Sequence, residues 1–204
     1  MLRYETEARQ QGYRLIAGVD EAGRGPLAGP VVAATVILTD TEPLKGLKDS
    51  KKLSPAMREK LFPIIQRTAA GYGIAVVDVR VIDTINILQA SLLAMQRAVE
   101  RLPHPPDLLL IDGIHTIDFP MTQRAIVAGD NLSLSIAAAS VLAKVTRDQL
   151  MNDYHVHYPQ YEFDRHKGYG TALHRKLIQE FGPCPIHRKT FKGVREFLIS
   201  ENKK

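Results

Sequence analysis

Gly18-Val19-Asp20-Glu21-Ala22-Gly23-Arg24-Gly25-Pro26-Leu27-Ala28-Gly29-Pro30-Val31-Val32-Ala33-Ala34 carries more information than any other stretch of this 204-residue chain. The apolar run Leu15 to Val19 reads as a short buried strand, and Val31 to Leu38 as a β-branched second strand. Between them, two adjacent carboxylates are followed at once by two glycines around an arginine. That order puts acid groups beside a backbone able to approach a ligand closely. An ordinary turn carrying an exposed ion pair accounts for the same residues equally well. A P-loop is excluded, because no Gly-Lys-Ser/Thr follows at the required spacing, and the glycine spacing does not fit a dinucleotide fingerprint.

Outward from this stretch, strands and helices alternate. Ser54 can cap and Pro55 can open a helix, with Pro63 kinking or ending its first part. Ile74 to Val79 reads as a third strand. From Asp83, residues Ile85, Leu88, Leu92, Met95, Val99 and Leu102 recur at spacings of three and four, the mark of an amphipathic helix. The prolines 103, 105 and 106 end it. Asp107 to Ile111 and Arg124 to Val127 read as strands that finish at Asp112-Gly113 and near Gly129-Asp130. Ser133 can cap a helix running through Val145, whose small residues allow close packing on a sheet. A last helix is expected from Thr171 to Phe181, stopped by Gly182. The pattern predicts one α/β domain, residues 1–204: a mixed sheet flanked by helices over about 12–155, then a basic helical C-terminal region over about 156–204.

Asp112 and Asp130 sharpen the reading of Asp20 and Glu21, because each is expected to end an apolar strand. If the sheet brings those ends together, the four acids form one cluster, and like charges packed side by side raise one another's pKa. Divalent cations remove that conflict. All-oxygen ligands suit Mg²⁺ or Mn²⁺ rather than zinc, and two such ions about 4 Å apart form a clamp for in-line phosphodiester hydrolysis. Taken singly, each acid is also explained as a capping residue at a strand end. His155-Val156-His157 could place both imidazoles on one face of an extended segment, but it lacks a third ligand for zinc. In His166-Lys167-Gly168-Tyr169-Gly170-Thr171 an aromatic stands between glycines beside basic groups, where an exposed ring could stack on a sugar or base, or pack on its own domain. No Gly-x-Ser-x-Gly elbow occurs, and Cys184 has no evident base, so acyl transfer is not indicated.

Composition narrows the classes further. A single cysteine excludes a disulfide-rich scaffold. No apolar run approaches the roughly 20 residues that span a bilayer, and the first residues lack the apolar core of a signal peptide, so a cytoplasmic protein without a membrane partner is expected. The net charge is +5. Residues 1–143 hold 15 Lys/Arg and 15 Asp/Glu, whereas 144–204 hold 12 and 7, so the excess is wholly C-terminal. A second basic cluster runs from Lys45 to Lys52. Such charge suits a polyanion, and equally a solvated face.

The quoted stretch resembles the signature of ribonuclease HII, the bacterial type 2 ribonuclease H. Asp49-Ser50-Lys51-Lys52-Leu53-Ser54, Ile111-Asp112-Gly113, Gly129-Asp130-Asn131, Ser135 through Asp148 and His166 through Thr171 follow in the family's order. The resemblance spans roughly residues 14 to 195. It implies a ribonuclease H-like core and an endonuclease that hydrolyses the RNA strand of RNA–DNA hybrids and nicks duplex DNA at embedded ribonucleotides. By the resemblance, Asp20, Glu21, Asp112 and Asp130 are the catalytic, metal-binding carboxylates. Gly23, Arg24 and Gly25 form the turn whose backbone contacts the 2′-hydroxyl, and Tyr169 reads the RNA-to-DNA junction. Lys51, Lys52, Lys144 and Arg147 are expected to contact nucleic acid. The Asp at 130 and the short N-terminus favour the HII branch over HIII. A monomer is the default expectation, and the C-terminal residues show no clear sliding-clamp motif, which leaves a clamp partner undecided. A hybrid-binding module without catalysis and a hydrolase of small phosphoesters are the competing classes.

Overall fold

The computed structural model describes residues 1–38, 44, 47 and 53–201, the last three by backbone alone. A helix α1 (Arg3–Gln10) leads into β1 (Ile16–Ala22), β2 (Val31–Leu38), α2 (Pro55–Thr68), β3 (Ala69–Val77), α3 (Val79–Glu100), β4 (Leu108–Asp112) and β5 (Thr122–Ile126). Then come α4 (Gly129–Leu132), α5 (Leu134–His157), a 3₁₀ turn Pro159–Tyr161, α6 (Phe163–His166), α7 (Ala172–Phe181) and α8 (Arg195–Glu201).

The five strands form one sheet in the order β3-β2-β1-β4-β5. β1, β2 and β3 are an antiparallel meander, whereas β4 lies parallel to β1 and β5 parallel to β4. Parallel pairing needs a crossover; α3 supplies the one that returns the chain to β4 beside β1, and residues 113–121 carry it from β4 to β5. The expected mixed sheet flanked by helices is therefore present. On one face, α3 packs Ile82, Ala90, Ala94, Met95, Ala98 and Val99 against Ala17, Val19, Ala33, Leu109 and Ile111. On the other, α5 lays Ala137, Ala138, Val141 and Leu142 against Val32, Ala34 and Val36. Covered on both faces, β1 and β4 are continuously apolar rather than alternating.

The approach of α5 is set by one residue. A Cβ on Gly18 would lie 2.1 Å from the Ser135 carbonyl carbon and 2.2 Å from the Ile136 nitrogen, so only glycine lets the helix start rest directly on β1. Glu5 of α1 fixes that helix start from outside: its Oε1 accepts from Ser133 Oγ at 2.6 Å, Ser135 Oγ at 2.8 Å and Ser135 N at 3.0 Å.

Several boundaries differ from the sequence reading. β3 begins at Ala69 and stops at Val77, because the Asp78 side chain accepts from Val81 N and caps α3, which starts at Val79, four residues before Asp83. α3 breaks at Asn86, whose φ of 67° and ψ of 167° separate two helical stretches. α5 continues past Val145 to His157, so His155 and His157 sit in its last turn and not on an extended segment. The expected boundary near 155 falls inside this helix. Met151 of α5 packs with Ala28, Tyr161, Phe163, Leu177 and Ile186, which joins the C-terminal region to the turn after β1.

Candidate active site

Strand register makes the site. Val19 pairs with Ile111 in the parallel β1–β4 ladder, so Asp20 and Asp112 follow one another onto the same end of two neighbouring strands. Asp20, Glu21 and Asp112 line one open hollow of about 350 Å³. Gly23, Arg24, Gly25, Ser140, Lys144 and Tyr169 line it too.

The three acids stand in an environment that penalises their charge. Asp20 is buried, and burial first, then the negative charges of Glu21 and Asp112, holds its carboxyl well above the usual carboxylate range. Hydrogen bonds from Glu21 N, at 2.7 Å, and from the Ser140 side chain pull the other way. Burial also raises Glu21, against the pull of Arg24, whose Nη1 stands 3.3 Å from Glu21 Oε1. The second oxygen, Glu21 Oε2, is buried with no hydrogen-bond partner. Asp112 is half-buried, and its Oδ1 accepts from Gly129 N at 2.7 Å.

Among the described residues, no three His, Cys, Asp or Glu side chains already surround a cation position. The physical reason is visible: each acid is turned onto a protein donor, Asp20 onto an amide, Glu21 onto Arg24, Asp112 onto the Gly129 amide. The donor set still fits a hard divalent cation. It is all oxygen, it carries uncompensated negative charge, and it includes a buried acceptor without a partner.

The turn beside the acids is held from beneath by two buried arginines. Gly23 has φ of +100°, and a Cβ there would lie 2.1 Å from Arg147 Nε. Arg147 is fully buried and donates to Pro30 O at 3.0 Å, Ala28 O at 3.1 Å and Lys167 O at 3.0 Å. Where a contact with nucleic acid is expected, the structure places Arg147 beneath the turn, bonded to main-chain carbonyls and outside the lining of the hollow. Arg188 is bonded likewise to the carbonyls of Gly23, Arg24, Gly29 and Pro30. Tyr169 stands over this turn half-exposed, its Cε1 3.9 Å from where a Gly25 Cβ would be, with Lys144 Nζ 5.6 Å from its ring centroid. Lys144 also pairs with Asp148 at 2.7 Å.

Asp130 is placed differently from the expectation. β5 ends at Ile126, the chain turns through left-handed Ala128, and Asp130 falls within the one-turn α4. It is fully buried, its Oδ1 accepts from Asn131 Nδ2 at 3.2 Å, and it does not line the hollow. Gly129, its neighbour, ties it to Asp112. Lys51 and Lys52 lie outside the described residues.

Three residues near the hollow escaped the site expected from sequence. Ser140 is signalled only as a polar residue among the alanines of α5. Arg58, which lines the hollow and donates to Leu53 O at 2.6 Å, follows the Pro55 helix start like any surface arginine. Arg188 stands in a proline-containing segment with no periodicity.

The Tyr169 turn rests on a chain of buried histidines. His187 Nδ1 accepts from Cys184 N at 2.9 Å, so its proton sits on Nε2 and is shared with His174 Nε2 at 3.0 Å. His174 Nδ1–H is then left to donate to Tyr169 O at 3.0 Å. His166 accepts from Gly168 N and donates to Tyr161 O, so all three rings are neutral. Burial drives the His174 imidazole down to about 3 and the His187 imidazole down to about 4, and lowers His166 as well.

A family model described as Ribonuclease HII matches residues 17–194, which contain every residue of this site. The chain belongs to the ribonuclease HII family. Its members are ribonucleases H, metal-dependent endonucleases. The ribonuclease HII of Syntrophotalea carbinolica is 57% identical over 197 residues, covering 97% of this chain and 94% of that protein. The ribonuclease HII of Geobacter sulfurreducens is 59% identical over 195 residues, covering 96% and 90%. Among solved structures, ribonuclease H2 from Pyrococcus horikoshii superposes with a TM-score of 0.78 at 27% identity, covering 94% of this chain and all of that one. A ribonuclease HII from Archaeoglobus fulgidus, solved as a complex with PCNA, superposes with a TM-score of 0.75 at 25% identity, covering 88% and 96%.

Proposed function

We propose that this ribonuclease HII-family enzyme hydrolyses the RNA strand of RNA–DNA hybrids and also nicks duplex DNA at single embedded ribonucleotides, using Asp20, Glu21, Asp112 and Asp130 with two divalent ions. One observation carries the reading: three buried or half-buried acids share a single hollow with a glycine turn and an exposed tyrosine. A charge-penalised acidic cluster has little use by itself, whereas beside a turn able to approach a sugar closely it suits a phosphodiester backbone that carries a 2′-hydroxyl.

Asp20, Glu21 and Asp112 would hold Mg²⁺ or Mn²⁺, with Asp130 acting from behind through the Gly129–Asp112 contact. When bound, the ions supply an activated water and neutralise charge on the leaving 3′-oxygen, giving 5′-phosphate and 3′-hydroxyl ends. The protein's own residues supply the rest. Ser140 and the Glu21 amide orient Asp20. Gly23, Arg24 and Gly25 bring main-chain groups to the ribose, and the Tyr169 ring packs on the next deoxyribose. Lys144, at the rim of the hollow, and Lys51 and Lys52 neutralise phosphates, a sequence-independent contribution to affinity that salt weakens. One chain furnishes all of these groups, which supports action as a monomer. Among the described residues no helix is long and apolar enough to cross a membrane. The reading keeps the enzyme in the cytoplasm, removing ribonucleotides during replication and repair.

The test is a duplex with one ribonucleotide, incubated with and without Mg²⁺ or Mn²⁺, the cut mapped to the nucleotide. Metal-dependent nicking at the ribonucleotide is expected. Binding without nicking would favour a hybrid-binding module, and hydrolysis of small phosphoesters without salt-dependent duplex affinity would favour the other rival class.

A further inference from the structure

Arg188 is a cation buried in full with no carboxylate hydrogen-bonded to it among the described residues, Asp83 acting on it only through space. A buried charge is costly unless its donors are satisfied, and an apolar side chain of similar volume would ordinarily serve stability as well. Here every acceptor is a main-chain carbonyl of one short loop. Arg188 donates to Gly23 O at 2.5 Å, Arg24 O at 2.9 Å, Gly29 O at 2.9 and 3.0 Å, and Pro30 O at 3.3 Å. In a trans peptide the carbonyl of one residue and the amide of the next point to opposite sides. Drawing the Gly23 and Arg24 carbonyls onto Arg188 therefore turns the Arg24 and Gly25 amides away from the interior. Neither amide has an acceptor among the described residues, and both residues line the hollow.

We propose that Arg188 is a positioning residue for ribose recognition, holding the turn so that the Arg24 and Gly25 amides face the 2′-oxygen of the substrate. The inference rests on the ribonucleotide-reading function proposed above. The arginine is itself fixed from outside the site. Its own amide donates to Leu27 O at 2.8 Å, and the next two residues are pinned by Asp83, which accepts from Lys189 N at 3.0 Å, Thr190 N at 3.1 Å and Thr190 Oγ1 at 2.8 Å. Lysine at 188 would keep the charge but lacks the planar fork that spans several carbonyls at once.

The readout is preference, not activity. KM is measured for a duplex with one ribonucleotide, and Ki for the all-DNA duplex of the same sequence as competitor. The ratio Ki/KM reports how strongly the ribose is read, and a brace with no part in reading would leave it unmoved. Arg188→Lys is expected to lower the ratio by about tenfold, the equivalent of roughly one hydrogen bond. Asp83→Ala, which loosens the segment without removing the arginine, is expected to lower it by about threefold by the same reasoning. Thermal melting checks the fold of each, and if Arg188→Lys does not fold, Asp83→Ala decides. Folded variants that keep the unsubstituted ratio overturn the inference. A ratio near one before any substitution would instead overturn the ribonucleotide-reading function, and this inference with it.

Discussion

The buried histidines make stability depend on pH with a sign and size that follow from the structure. His174 and His187 are fully buried, neutral, and joined Nε2 to Nε2 at 3.0 Å. A proton on His174 would set donor against donor, and one on His187 would face the Cys184 amide. Folded, they titrate at about 3 and about 4, against roughly 6.5 in an unfolded chain. Both pKa values are depressed, so the unfolded state binds more protons wherever the pH lies between the two ranges. Their contribution is fully present above about 6.5 and is lost as pH falls toward 4. At pH 5 the unfolded chain holds nearly two more protons at these sites, a slope of roughly 2.5 kcal/mol per pH unit. Integrated from pH 7 to pH 5, this is on the order of 4 kcal/mol, a large share of the roughly 5–15 kcal/mol of an ordinary domain.

Other groups titrate in the same range, so the comparison must isolate the histidines. Asp20 and Glu21, raised by burial, have the opposite sign: folded, they keep protons that the unfolded chain releases, and they favour the folded state as pH falls. His174→Gln removes one titrating ring while still offering an acceptor to His187 and a donor to Tyr169 O. Urea unfolding at steps from pH 7.5 to 4.5 should show the variant less stable at pH 7 but flatter with pH, by about 1.4 kcal/mol per unit near pH 5. Parallel curves for the two proteins between pH 5 and 6 would refute the neutral, proton-ordered chain.

Asp112→Asn should abolish cleavage in Mg²⁺ while leaving hybrid affinity within about threefold, because the amide oxygen can still accept from Gly129 N but carries no charge. Turnover like that of the unsubstituted protein would sink its assignment as a metal ligand. Tyr169→Ala should lose more on a single embedded ribonucleotide than on a long hybrid in kcat/KM, and equal losses would argue against junction reading. Glu5→Ala strands the hydroxyls of Ser133 and Ser135 and the Ser135 amide at the start of α5, costing on the order of 2 kcal/mol. An unfolding free energy, from urea titration, lowered by less than about a quarter of that would show that water replaces the carboxylate.

What sequence conveys about this protein depends on where a residue's partners lie. β1, β2 and β4 are legible because strands covered on both faces become apolar runs. β3 is blurred, since its buried face begins with Gly71 and Gly73 in place of apolar side chains while Tyr72 between them is exposed, and Val76-Val77-Asp78-Val79 hides a helix cap inside a β-branched run. The break at Asn86 is invisible to periodicity, because Asn86 Oδ1 recaps the helix through Gln89 N and apolar residues continue at helical spacing in the sequence on both sides of it. Asp20, Glu21 and Asp112 are legible as acids closing apolar strands, whereas Asp130 is misplaced because Ala128 adopts a left-handed conformation that its residue type does not advertise. The arginines are the deepest loss. A charge count treats all 12 Lys/Arg of residues 144–204 as surface that draws a polyanion, yet Arg147 and Arg188 are buried and turned onto carbonyls. Part of the basic excess thus shapes the turn beside the acids instead of attracting nucleic acid, and the salt dependence of binding should follow only the cations that remain on the surface.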